Sequence, residues 1–219
     1  MSKLAVYDFD GTLINKESVP IIMKTYKKMK LGFWTYIGVY WFLLTRLVAY
    51  KLPFTSSDKA TFRAHAMMKM ADLYRTLDKP TRNALFNAIY NALTPYLNQT
   101  VVDAIKHDKE NGFHTVLLSG SFIDVLTPFK ALGFDRVIGS TLIKDGQVLA
   151  YKDIDILIDQ KKLDVVKALK KQLQIDYVKA VADSYYDLKL LNYADEAVAV
   201  HPDDTLKAYA LSHHWEIIE

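Results

Sequence analysis

The sequence predicts an α/β protein, a Rossmann-like parallel sheet core with an α-helical cap inserted after the first strand. Three observations predict it. Short apolar, β-branched runs alternate with helical stretches, the pattern of a parallel sheet covered on both faces. Between about Ser18 and Gln99 that rhythm stops, and helix formers and aromatics replace it with no strand-like run. Four of the core's chain segments also end or begin on polar groups suited to chemistry, as an open α/β sheet places its ligands beyond the strand ends. The expected division is a core of residues 1–16 and 98–219, with a helical cap domain at 17–97.

The first strand is "LAVYDF", and it ends on Asp8 and Asp10 followed by Gly11 and Thr12. The later strands are "HTVLLS", "DRVIGS", "YVKAVAD" and "EAVAVH", with a short terminal run at "WEII". "DVVKALKKQLQ" reads as a helix in which Val165, Val166, Leu169 and Leu173 share one face. In "TLIKDGQVLAYK", Asp145-Gly146 between apolar runs predicts a β-hairpin.

Within the insertion, "LGFWTYIGVYWFLLTRLVAYK" is uncharged from Leu31 to Thr45 and then interrupted by Arg46. A spanning helix needs about 20 apolar residues, so this run is too short to cross a bilayer. Two readings stay open: a buried cap helix, or peripheral membrane contact through residues 31–50, with Lys24, Lys27, Lys28, Lys30, Arg46 and Lys51 suited to anionic lipid.

Composition narrows the function classes. Hydrophobic residues make up 51% and charged residues 24%, the balance of a folded globular chain. The net charge is only +3 and the lysines and arginines are dispersed, which argues against nucleic acid. With no cysteine, disulfides, thiolate-bound zinc and thiol nucleophiles are excluded. The N-terminal stretch has acids by Asp8 and no secretory h-region, so the expected location is cytoplasmic, with membrane association if the aromatic run meets lipid. The oligomeric state is left open.

The polar residues at the strand ends form one chemical set. Asp8 and Asp10 follow the first strand, and Ser119-Gly120-Ser121 end the second ahead of an expected helix, a hydroxyl and free N–H groups suited to phosphate. Lys161 and Lys162 open a helix against its dipole, so they are not there for helix stability. Asp183 and Asp187 follow a further strand. Carboxylates from separate strands repel unless a cation bridges them, and hard oxygen ligands suit Mg²⁺. A metal, a serine and a lysine around one carboxylate would offset the charge of a phosphate and leave that carboxylate to attack phosphorus. A second acid two residues away can handle protons. His65, His107, His114, His201, His213 and His214 show no metal-ligand spacing.

These residues resemble the haloacid dehalogenase-like (HAD) phosphohydrolases. "DFDGTL" at 8–13, "LLSGS" at 117–121, Lys162 in "QKKLDVVKAL" and "ADSYYD" at 182–187 are similar to that family's four motifs, in order. The resemblance implies Asp8 as nucleophile, forming an aspartyl-phosphate, and Asp10 as general acid and base. Thr12, Ser119 and the Gly120 amide would hold the phosphoryl oxygens, and Lys162 would steady the charge beside Asp8. Asp8, the Asp10 carbonyl and Asp183 would bind Mg²⁺, with Asp187 in support. Asp10 separates phosphatases from the dehalogenase members, which lack that acid.

The helical insert and "SGSF" at 119–122 resemble the phosphoserine phosphatase-like branch, subfamily IB, in which Glu17 would stand as a cap residue facing the substrate. Ala182 and Ser121 replace glycines of the pattern, and Arg63 is the one candidate partner for a phosphoserine carboxylate. The implied activity is hydrolysis of a small phosphorylated metabolite, phosphoserine or a relative. The alternatives are a lipid phosphate met at a membrane surface, or a noncatalytic binding protein on the same fold. Dinucleotide binding would need a G-x-G-x-x-G turn, and "DFDGTL" is not one.

Overall fold

A computed structural model describes residues 1–51 and 59–219. The side chains of Arg63 and Lys51, both weighed above, lie outside the described residues. Strand β1 is Lys3–Tyr7, and five helices follow it: α1 (Ser18–Lys28), α2 (Phe33–Lys51), α3 (Lys59–Met70), α4 (Asp72–Arg75) and α5 (Lys79–Leu93). Then come α6 (Gln99–Glu110), β2 (Phe113–Phe122), α7 (Ile123–Leu126), β3 (Arg136–Ser140), β4 (Ile143–Lys144) and β5 (Gln147–Val148). The chain closes with α8 (Gln160–Gln172), β6 (Tyr177–Ala182), α9 (Leu188–Tyr193), β7 (Glu196–Val200), α10 (Asp204–Ser212) and β8 (Glu216–Ile218). All six strand-like runs of the sequence are strands, and the described residues between α1 and α6 contain none.

The six-stranded sheet runs β3-β2-β1-β6-β7-β8, parallel throughout. Successive connections move outward from β1 on one side and then resume beside β1 on the other. The carboxyl ends of β1, β2 and β6 therefore meet at the topological switch point, where ligands bind in open α/β sheets. Register keeps them level, since Tyr7 pairs with both Leu117 and Val181.

Strand periodicity divides the core. Leu4 and Val6, with Val116, Leu118, Ala180 and Ala182, face α8, α9 and α10. Ala5 and Tyr7, with Leu117 and Val181, face the other way, into a cluster continuous with Tyr26, Tyr74, Leu85 and Ile89 of the inserted helices. The insertion is thus rooted in the sheet's own core. Its two connections also lie side by side: Asn15 N–H donates to the Tyr96 carbonyl at 2.8 Å, and Asn98 N–H to that of Leu13 at 2.9 Å.

Local chemistry explains the boundaries. The Asp78 carboxylate accepts from Thr81 N–H at 2.9 Å and Pro80 fills the first turn of α5. Asp203 caps α10 in the same way through Leu206 N–H. The β4–β5 hairpin turns on Asp145 (φ 51°) and Gly146 (φ 78°), both left-handed as a type I′ turn requires.

One expectation is narrowed. A helix does follow Ser119-Gly120-Ser121, but β2 itself continues to Phe122, its register with β3 shifting between Leu118 and Phe122, and α7 is a single turn. A bulge replaces the helix end, aiming the two serine hydroxyls by strand geometry.

Candidate active site

Asp8 is the first residue beyond β1, held there by its N–H on the Val181 carbonyl at 3.0 Å. Its carboxylate is buried, and Lys162 Nζ meets its Oδ1 at 2.9 Å. The same ammonium lies 2.9 Å from Asp187 Oδ1 and 3.1 Å from Oδ2. Burial pulls the Lys162 pKa down, but the Asp187 and Asp8 carboxylates outweigh it, so the net shift is upward and the ammonium keeps its charge. Lys161 is exposed and paired with Asp155, so of the two neighbouring lysines only Lys162 enters the site. Residue Asp159, which precedes α8, has a left-handed backbone (φ 47°) that turns the chain into that helix beside the site.

Asp10 performs two jobs. Its Oδ1 accepts from Ser18 N–H at 2.6 Å, which ties the first turn of α1 to the loop after β1. Burial and the nearby Glu17 carboxylate push its pKa up to about 7, where a group both gives and takes protons near neutrality. Glu17 itself is exposed at the rim of the same cleft.

Gly11 brings the loop close to Asp183: a Cβ at position 11 would stand 2.2 Å from Asp183 Oδ2, and the backbone there has φ 72°. Both facts demand glycine. Burial first, then the charges of Asp8 and Asp187, raise the Asp183 pKa. Asp187 is raised by burial as well, with Lys162 opposing.

On β2, the buried Ser119 accepts from Ser121 N–H at 3.1 Å, which leaves its O–H to donate into the cleft. The Gly120 carbonyl is engaged by Ser140 Oγ at 2.6 Å, and that hydroxyl also accepts from Leu157 N–H at 2.9 Å. Ser140 thereby anchors the end of β2 that borders the cleft, a part that sequence reasoning missed; its one signal was a hydroxyl ending "DRVIGS".

Asp8, Asp10, Glu17, Ser119, Gly120, Lys162, Asp183 and Asp187 all border one cleft of about 890 Å³. Thr12 does not. It is fully buried, and its hydroxyl lies 3.4 Å from Asp183 Oδ1 behind the loop. Its side chain orients Asp183 instead of reaching a phosphoryl oxygen. Asp187 directs both oxygens at Lys162 and holds the lysine in place beside Asp8.

Among the described residues no three His, Cys, Asp or Glu side chains are gathered at ligand spacing. Mg²⁺ asks for less: one or two carboxylates, with carbonyl, water and substrate oxygens completing six positions. Asp8 and Asp183 supply two carboxylates whose repulsion a dication would relieve, and the Asp10 carbonyl is a third hard donor on the same loop. The donor set fits.

No described helix is long and apolar enough to cross a membrane. Helix α2 nonetheless exposes Phe33, Trp34 and Trp41, at 67%, 82% and 56% of full accessibility, so the aromatic run is not wholly packed inside the cap.

Comparison with known proteins agrees with this geometry. A protein of unknown function from Bordetella pertussis superposes with a TM-score of 0.83 at 18% identity, covering 100% of this chain and 99% of that one. A substrate-bound phosphoserine phosphatase gives 0.66 at 21% identity, covering 100% and 93%. A HAD-family hydrolase from Salmonella enterica gives 0.68 at 21% identity, covering 94% and 65%. At these identities the likeness establishes the fold. A search of curated proteins by sequence finds no match. A family model for haloacid dehalogenase-like hydrolases matches residues 5–192, most of the sequence, and the chain belongs to that family.

Proposed function

We propose that this hydrolase is a Mg²⁺-dependent phosphomonoesterase that works through an aspartyl-phosphate on Asp8. The observation that carries the reading is the buried contact of Lys162 with both Asp8 and Asp187 at the sheet's switch point. A noncatalytic protein on the same fold has no use for an ammonium locked between buried carboxylates beside a proton-exchanging Asp10.

The Asp8 carboxylate attacks phosphorus as the ester P–O bond breaks, and Asp10 gives its proton to the leaving alcohol. Asp10 then takes a proton from water as that water attacks the acyl phosphate, releasing phosphate and restoring Asp8. Lys162 holds Asp8 Oδ1, fixing the carboxylate's orientation and offsetting charge in a dry site. Ser119 donates to a phosphoryl oxygen. Mg²⁺ bound by Asp8, Asp183 and the Asp10 carbonyl would neutralise phosphate charge and orient the transferring group. Residues 17–97 act as the cap that excludes water during attack.

The likeness to phosphoserine phosphatases supports phosphomonoester hydrolysis, and the alcohol half of the substrate is left to the cleft's own lining. A phosphate-release screen with Mg²⁺, repeated in EDTA and with Asp8→Asn, tests the chemistry. The expected result is turnover that chelator stops, Mg²⁺ restores and the variant lacks while still folded. Full activity in chelator, or a wild-type rate from Asp8→Asn, would refute it.

A further inference from the structure

The cleft has two unlike halves. Its polar groups come from the strand ends and α8. Its far wall comes from the inserted helices: Val19 and Met23 of α1, Tyr36, Leu43 and Leu44 of α2, and Met67 of α3. Pockets of roughly 300–1,000 Å³ hold drug-sized ligands, and this one, at about 890 Å³, stands near the upper end. A three-carbon amino-acid phosphate would leave the apolar half unfilled. Among the described residues no arginine borders the cleft, and apart from Lys162, which Asp8 and Asp187 hold, its cations are Lys24 and Lys27, both exposed on α1.

Resting on the phosphomonoesterase reading above, we propose that the substrates are phosphomonoesters whose alcohol carries a long apolar chain. The phosphate sits against Asp8 and Ser119, beside the Asp8–Lys162 pair, and the chain lies against Met23, Leu43, Leu44 and Met67. Unbranched methionines adapt to a flexible chain, and desolvating that wall supplies the binding energy. Such esters exist both free in solution and as lipid phosphates in a bilayer. The exposed aromatics of α2, which follow the exposed Lys27, Lys28 and Lys30 in the chain, are the surface a bilayer would meet.

The test is kcat/KM with Mg²⁺ on soluble alkyl phosphates from ethyl to octyl, with phosphoserine alongside. Each methylene fully buried is worth about fourfold, so a rise of at least about 100-fold from ethyl to octyl is expected even with partial burial. Leu43→Gln should shrink the octyl-to-ethyl ratio about tenfold. A flat series, or phosphoserine as the best substrate, would overturn the proposal while leaving the phosphatase reading intact. No release from any ester would overturn both. Phosphatidate in phosphatidylcholine vesicles separates the sources: turnover above that of octyl phosphate places the substrate in the bilayer, turnover of octyl phosphate alone places it in solution, and either supports the apolar-chain cleft.

Discussion

Replacing Lys162 by methionine keeps most of the side chain's bulk and deletes its charge. In the folded chain that charge stands 2.9 Å from Asp8 Oδ1 and 2.9 Å from Asp187 Oδ1, all three residues being buried. Removing one partner of a buried ion pair leaves uncompensated charge and costs about 3–5 kcal/mol. For a chain of this size each kcal/mol lowers Tm by about 2–4 °C, so a fall of roughly 6–20 °C is expected in chelator at pH 8. The loss should shrink at low pH. Asp187 already has a raised pKa in the fold, and without Lys162 it rises further. An acid whose folded pKa lies above its unfolded value loses stability as pH rises, so the variant suffers most on the alkaline side. Thermal melts at pH 5 and pH 8, with kcat measured in parallel, give the result. Activity should fall by at least about 10²–10³, the scale of losing one preorganised charge partner. A Tm within about 2 °C of wild type at pH 8, with no pH dependence of the difference, would show that Lys162 does not bridge the two carboxylates.

Gly11→Ala should disable Mg²⁺ use, because its methyl would occupy the space of Asp183 Oδ2; a normal Mg²⁺ activation curve would contradict the close approach. Asp10→Asn keeps the acceptor for Ser18 N–H and removes an acid raised to about 7. Its Tm should exceed wild type at pH 8, with the gain fading as pH falls through 7 toward 4, while activity is lost; a gain that grows at low pH would be the wrong sign. Tyr7→Phe deletes a buried hydroxyl that donates to Asp108 at 2.5 Å. Asp108 keeps Lys179 at 3.2 Å, so unfolding should cost about 1–3 kcal/mol less with kcat unchanged, and a large loss of kcat would join that network to the site.

What the sequence determined by itself is the local layer. Strand periodicity and β-branched runs located all six sheet strands, and Asp145-Gly146 located the hairpin, because backbone propensity and side-chain alternation act over a few residues. The acids of "DFDGTL" and "ADSYYD" were legible for the same reason: they follow strands directly, and a parallel sheet puts those ends together. The motif resemblance picked Lys162 over Lys161, and in the fold helix rotation sets Lys162 against Asp8 and Asp187 and leaves Lys161 outside on Asp155. Tertiary structure alone decided the rest. It buried Thr12 behind Asp183 and carried β2 through Ser119 to Phe122, because pairing with β3 is a long-range contact. It built an apolar wall from three helices that start at residues as distant as Ser18 and Lys59. Burial and charge proximity act through space, and chain order alone does not fix which side chains share a cavity.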